Sequence, residues 1–285
     1  MFLAKPYLAA RQLRSTIRTY SKMTTNLSDR MKLHEEKYRA FLIFENLDDA
    51  LIIRVDGKAF HTYTRGAKVP FDENFQDVMN DVAVALCNNT QGAVLAYVQS
   101  DEVSIVVRPI RDKLSVPWFG GNVQKICSIT AAIASVTMTT ESSRIFGLNR
   151  QALFDSRAFV LPRNEIVNYL IWRQTDALRN SVQMLARSHF SHKKLLDKSC
   201  DEMKEMLVHA GDPWEEYSSG SQRGRVIIKR MSEKTTEYFH KKTGVVNVVS
   251  AIRSRWEVDP VAPTFLQDRN YVESRFDTNA QNTKE

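Results

Sequence analysis

Two short strings hold the residue types best able to do chemistry in this chain. The first, Asp56-Gly57-Lys58-Ala59-Phe60-His61, places a carboxylate beside a glycine with two polar side chains following. The second, Ser100-Asp101-Glu102, places two acids in a row. Carboxylates gathered at one point repel unless a cation lies between them. Two aspartates holding two magnesium ions about 4 Å apart would activate a hydroxyl and steady a leaving phosphate. Gly57 would let the backbone approach a ligand, with its carbonyl completing a metal shell. The amides and polar side chains from Lys58 to His61 would suit a triphosphate. Each string alone also fits an acidic turn or a tight bend, so the chemistry depends on a fold that brings them together.

The surrounding elements predict such a fold. Residues 50–55 (ALIIRV) form a short apolar, β-branched run that reads as a buried strand ending at Asp56. After a loop with Gly66 and Pro70, Asp72 would cap a helix through about Asn88, because Phe75, Val78, Met79, Val82 and Leu86 recur at helical steps. Residues 93–98 and 103–107 are two strand-like runs at hairpin spacing. Asn122 would cap a second helix, with Val123, Ile126, Ile133 and Val136 on one face, and residues 157–161 (RAFVL) make a fourth strand. The order β-α-β-β-α-β defines an α+β, ferredoxin-like palm. Strands one and three are antiparallel neighbours in that topology, so Asp56 and Asp101, 45 residues apart, should meet on one sheet edge beside Glu102.

From Glu165 the pattern turns helical. Val167, Ile171, Gln174, Leu178, Val182 and Leu185 form one stripe; Arg173, Asp176, Asn180, Gln183 and Arg187 lie nearly opposite. Such a polar stripe is either a solvated face or, with Trp172 beside Arg173, a surface for phosphates and bases. Residues 218–224 read as a turn, residues 225–229 as a strand, and the tail after Pro260 as loosely structured. His189 and His192 lack a third ligand, and His34, His209 and His240 have no evident partner, so none predicts a metal site.

Composition narrows the classes. The 285 residues are 43% hydrophobic and 26% charged, which excludes a disordered or collagen-like chain. No apolar run approaches the roughly 20 residues of a bilayer span, so no membrane association is expected. Cys87, Cys127 and Cys200 form no CxxC pair and imply neither a disulfide framework nor a zinc site. The net charge is +7, and five of those positive charges (Lys5, Arg11, Arg14, Arg18, Lys22) precede the first acid, Asp29. This amphipathic, acid-poor segment over residues 1–30 has the signature of a mitochondrial transit segment. A basic arm touching RNA is the alternative. Translation starting at Met23 or Met31 would leave a cytoplasmic form.

The strings RVDGKAFHTYT, VQSDEVSIVV, FDSRAFVLP and WRQTDALRNS together resemble, in order and spacing, the tRNA(His) guanylyltransferase family and its relatives, the guanylyltransferase-like enzymes that add nucleotides in the 3′–5′ direction. The resemblance runs from about Met31 to Phe276. It implies a catalytic palm over 31–164, a mainly helical region over 165–285 for tRNA binding and oligomerisation, two Mg2+ ions, GTP or another NTP and ATP as substrates, tRNA as partner, and a homotetramer. Carried over by position, Asp56, the Gly57 carbonyl and Asp101 become metal ligands, and Glu102 supports them. Lys58, Ala59, Phe60, His61, Ser100 and Lys125 join Asp56, Gly57 and Asp101 around the nucleotide. Arg157, Arg173 and Asn180 become candidates for gripping RNA.

The chain also departs from the family pattern. Guanylyltransferases proper carry His-Ile-Asn-Asn where this chain has Leu178-Arg179-Asn180-Ser181; a basic residue common near Asn122 is absent; and Val69 replaces the lysine before Pro70, with Lys68 one position away. The first departure resembles relatives that repair truncated tRNA 5′ ends. It leads to the expectation of a template-dependent 3′–5′ nucleotidyltransferase of tRNA 5′ ends. The alternatives are a tRNA(His) guanylyltransferase adding G at position −1, a non-catalytic RNA-binding palm, and a nucleotide cyclase.

Overall fold

The structure, a computed structural model, describes residues 27–109, 115–146, 150–240 and 245–278. Most of the basic amino-terminal segment, residues 1–26, lies outside them. After helix α1 (Leu27–Glu36), the palm elements follow in the order β1 (Ala50–Gly57), α2 (Phe60–Tyr63), α3 (Glu73–Asn89), β2 (Ala93–Gln99), β3 (Glu102–Val107), α4 (Val123–Phe146) and β4 (Phe154–Leu161). Then come α5 (Ile166–His189), α6 (His192–Leu195), α7 (Cys200–His209), α8 (Ser219–Arg223), β5 (Arg225–His240), β6 (Val245–Val258) and α9 (Asn270–Thr278).

Among the described residues, six strands form one antiparallel sheet in the order β4-β1-β3-β2-β5-β6. The first four reproduce the predicted ferredoxin-like arrangement. One face packs on α3 and α4 through Leu51, Ile53 and Val55 against Val78, Val82 and Ile126. The other packs on α5 and α9 through Ile52, Leu95 and Val106 against Ile166, Leu170 and Phe276. Coverage on both faces explains why the strand at Ala50 reads as a continuous apolar run instead of an alternating one. Leu51, Ile52 and Ile53 are fully buried, each stabilising the fold by roughly 1.5–3 kcal/mol through burial. The caps are where the sequence puts them: Asp72 accepts from the Phe75 amide at 3.0 Å, and Asn122 from the Lys125 amide at 3.0 Å.

Several boundaries and elements differ from expectation. β1 continues through Asp56 and Gly57, and β4 starts at Phe154, because the two strands pair over that whole length. The carboxy-terminal region is helical over α5 to α8 and at α9, yet it also contributes the β5–β6 hairpin, which joins the palm sheet along β2. Residues 219–223 form a short helix in place of the expected turn. After Pro260 the chain is anchored as far as Phe276: Phe265, Val272 and Phe276 are fully buried, and Tyr271 donates to Asp259 at 2.7 Å.

Candidate active site

β1 and β3 pair so that Asp56 stands opposite Glu102, and the turn before Glu102 carries Ser100 and Asp101. The Gly57 amide donates to the Asp101 carbonyl at 3.1 Å, tying the two strings together at the sheet edge. Gly57 is required there: a Cβ would lie 2.3 Å from the Phe60 ring. Phe60 in turn packs on Tyr63, Phe75 and Phe154, which fixes the loop that follows β1. Two non-glycine residues flanking the carboxylates, Ala59 (φ 56°) and Ser100 (φ 46°), hold left-handed backbone, a strained state that persists when surrounding structure over-determines it.

A cavity of about 740 Å³ opens over this edge. Asp56, Gly57, Ala59, Phe60, His61, Ser100, Asp101 and Glu102 line it, together with Lys68 and, from α5, Arg173, Asp176 and Asn180. The three acids are not equivalent. Glu102 is buried and grips Arg173 through two bonds, Nε at 2.8 Å and Nη2 at 2.9 Å. Its Oε1 also accepts from Gln99 at 3.1 Å. Asp56 and Asp101 have no cationic partner among the described residues. Burial, reinforced by the charges of Asp56 and Glu102, raises the Asp101 carboxyl above its ordinary range, against hydrogen bonds from its own backbone and from Ser100. Two oxygen-donor carboxylates lacking a counter-charge suit a hard cation, whose remaining positions water and substrate phosphates would fill. No cluster of three or more His, Cys, Asp or Glu able to hold a metal occurs among the described residues. The donor set therefore fits magnesium shared with a nucleotide better than a closed protein cage.

Other candidates are placed differently. Arg173, proposed from sequence as an RNA grip, is 6% exposed; its guanidinium is engaged by Glu102 and by Asp176 at 3.1 Å and packs on Trp172. The polar stripe of α5 is thus divided: Arg173 turns inward and Asn180 is exposed on the cavity wall. Ser181, next to Asn180, is buried, donating to the Gln222 carbonyl at 2.8 Å and accepting from Trp214 Nε1 at 3.0 Å. It clamps α5 to the segment around α8. Lys58 is exposed and lines a separate cavity behind the loop, while Lys68 takes a place in the main one. Lys125 in the first turn of α4 and Arg157 on β4 are exposed and line neither cavity; Arg157 lies 3.6 Å from Asp155. Two histidines away from the site have partners of their own: His189 meets Asp212 at 2.6 Å and His209 meets the Glu205 carbonyl at 2.7 Å.

Sequence reasoning missed the cavity's far wall. Arg225 donates to Asn80 at 2.7 Å and Gln76 at 3.1 Å, and Gln76 reaches Ser221 at 2.9 Å. Burial lowers the Arg225 pKa to about 10. The only signal was the Arg223-Gly224-Arg225 string, where Gly224 (φ 79°) allows a close approach to the Val98 carbonyl.

A family model described as tRNAHis guanylyltransferase matches residues 28–162. A Debaryomyces hansenii tRNA(His) guanylyltransferase is 34% identical over 143 residues, covering 47% of this chain and 52% of that protein. A Drosophila melanogaster protein named a probable tRNA(His) guanylyltransferase is 32% identical over 137 residues, 46% of each chain. The matched region thus spans about half the length of these curated relatives. A solved bacterial tRNA(His) guanylyltransferase-like protein in complex with ATP superposes with a TM-score of 0.76 at 34% identity, covering 88% of this chain and 99% of that one. The Saccharomyces cerevisiae tRNA(His) guanylyltransferase superposes with a TM-score of 0.59 at 21% identity, covering 68% and 91%, and so shares the fold. With the paired Asp56 and Asp101 strings in register and near-complete coverage of the bacterial relative, the chain belongs to the tRNA(His) guanylyltransferase superfamily of nucleotidyltransferases.

Proposed function

We propose that this protein adds nucleotides to the 5′ end of tRNA in the 3′–5′ direction, with guanylate addition to tRNA(His) as the leading form of the reaction. The observation that carries the reading is the pairing of Asp56 with the Ser100–Glu102 turn over a nucleotide-sized cavity, leaving two carboxylates without a counter-charge. The names of the curated relatives favour guanylate addition over the templated repair suggested by the Leu178–Ser181 string. Templated addition remains the second reading, favoured by that string and by the extent of likeness to the bacterial guanylyltransferase-like protein.

Asp56, Asp101 and the Gly57 carbonyl would hold Mg2+. The metal would supply a lowered pKa for the attacking hydroxyl and charge neutralisation on the leaving phosphate. The 3′-hydroxyl of the incoming NTP attacks the activated 5′ phosphorus of the RNA, forming a phosphodiester, losing its proton and releasing pyrophosphate or AMP. Glu102, neutralised by Arg173, keeps the turn at Asp101 in place. Lys68 and His61 face the cavity and suit the phosphates; Asn180 suits the RNA end. Complexes of the bacterial relatives with ATP and with GTP support nucleoside triphosphates as substrates. The basic segment before Asp29 supports a mitochondrial location, and family resemblance supports a homotetramer with the region after Glu165 taking part in tRNA binding and assembly. No helix among the described residues is long and apolar enough to cross a membrane.

Labelled NTPs, with magnesium, offered to tRNA(His) and to tRNAs lacking their first nucleotide, test both readings. G added only to tRNA(His), whatever base lies opposite, supports the leading form. Addition that follows the opposing base supports repair, and no addition to any tRNA overturns the proposal.

A further inference from the structure

A second cavity, of about 430 Å³, lies behind the loop that follows β1. Ala59 lines both cavities, so they adjoin at the loop that follows β1. Three cations, Lys58, Arg65 and Arg150, line the second cavity with no carboxylate among its lining residues. None of the three forms an ion pair with any described residue. Arg150 is preorganised: its Nη1 donates to the carbonyls of Tyr63 at 3.0 Å and Arg65 at 3.2 Å, leaving its other donors without a partner among the described residues. Tyr63, also in the lining, is 8% exposed, and its buried hydroxyl has no hydrogen-bond partner among the described residues. The Tyr63 hydroxyl is thus sealed off from the cavity, which leaves the three cations as its donors.

We infer that this cavity is a phosphate-binding subsite that holds a backbone phosphate of the RNA strand whose 5′ end reacts at Asp56 and Asp101. The inference rests on the proposed function for the identity of the strand. Three cations on one cavity, unpaired among the described residues, suit a phosphate oxygen cluster. A lining without an exposed aromatic for stacking suits the backbone more than a base. The shared loop gives the path: a strand with its terminal phosphorus in the main cavity crosses Ala59 and reaches Lys58 and Arg65 next. Lys58 then contacts RNA, and the nucleotide's own phosphates fall to the main cavity.

The test compares the full chain with Lys58→Gln/Arg65→Gln and with Tyr63→Phe, each checked by thermal melting. Lys58 and Arg65 are exposed, and Tyr63→Phe keeps the ring, so all should fold. Affinity for tRNA is measured by anisotropy over a KCl series, and affinity for GTP by direct titration. The double variant should bind tRNA roughly tenfold more weakly at low salt, with a log K against log salt slope shallower by about 1.5, because each removed cation leaves one phosphate unneutralised. Tyr63→Phe, which removes a hydroxyl sealed off from the cavity, should leave tRNA affinity and slope as in the wild type, and GTP affinity should be unaffected in both variants. Unchanged tRNA affinity and slope in the folded double variant would overturn the subsite while leaving the proposed function intact. Weakened GTP binding with unchanged tRNA binding would assign the cavity to nucleotide phosphates and overturn the RNA assignment. A wild-type chain that neither binds tRNA nor extends it would remove both readings.

Discussion

At Asp101, burial and the charges of Asp56 and Glu102 raise the carboxyl's pKa, so the folded state binds the proton more tightly than the unfolded chain does. Stability therefore falls as pH rises from the unfolded value through the folded one, and the full cost is present above it. Asp101→Asn should raise the metal-free melting temperature at pH 7 by about 2 °C or more while abolishing nucleotide addition. The gain should disappear near pH 3, where the wild-type group is protonated in both states. A melting temperature that falls at pH 7 would contradict this account of the site. Arg173 presents the opposite case. Arg173→Ala strands the buried Glu102 carboxylate and should cost roughly 3–5 kcal/mol of stability by denaturant unfolding. Asn180→Ala, on the exposed cavity wall, should leave stability within about 0.5 kcal/mol and weaken RNA or nucleotide binding. If Arg173→Ala kept full stability and weakened only RNA binding, the sequence reading of that arginine would be restored.

At the scale of elements, Arg173 ties α5 to Glu102, and a second polar clamp farther along the helix is Ser181, set between the Gln222 carbonyl and the Trp214 indole. Ser181→Ala should cost about 1–3 kcal/mol, since it leaves the buried indole N–H without its acceptor, and should lower activity through displacement of Asn180. Full activity with unchanged stability would show the clamp to be dispensable. Ser181 also shows what a sequence hides. The four palm strands, both caps and the meeting of Asp56 with the Asp101 turn were legible, because apolar runs, capping residues and a topology with few solutions determine them. The inward turn of Arg173 was not. Periodicity places it opposite the Val167 stripe, and the wheel cannot register that Glu102, 71 residues earlier, waits on that side. Lys58 is a second case of what the string leaves open: its place beside Gly57 suggests nucleotide contact, and in the structure it lines the cavity behind the loop. The outer β5–β6 hairpin has both faces largely exposed where described, so no burial pattern marked its second strand.

For the whole molecule, the division of charge separates the body from its amino-terminal segment. Five of the seven excess positive charges precede Asp29, so the body is nearly neutral overall and its affinity for RNA must come from local patches, such as the cations behind the β1 loop. The sheet is covered on both faces by residues from Ala50 onward, and among the described residues its core clusters draw on nothing before Leu42. Removal of residues 1–26 should therefore leave the melting temperature within about 1 °C and nucleotide addition unchanged. The salt dependence of tRNA binding then discriminates between the two readings of that segment. A targeting segment leaves the slope of log K against log salt as it was. An RNA arm lowers it by about 0.7–0.9 for each phosphate that the truncated chain no longer neutralises, up to the arm's five charges. An unchanged slope together with import of a tagged full-length chain into mitochondria, and failure of the truncated chain to enter, would join the location to the segment and the chemistry to the body.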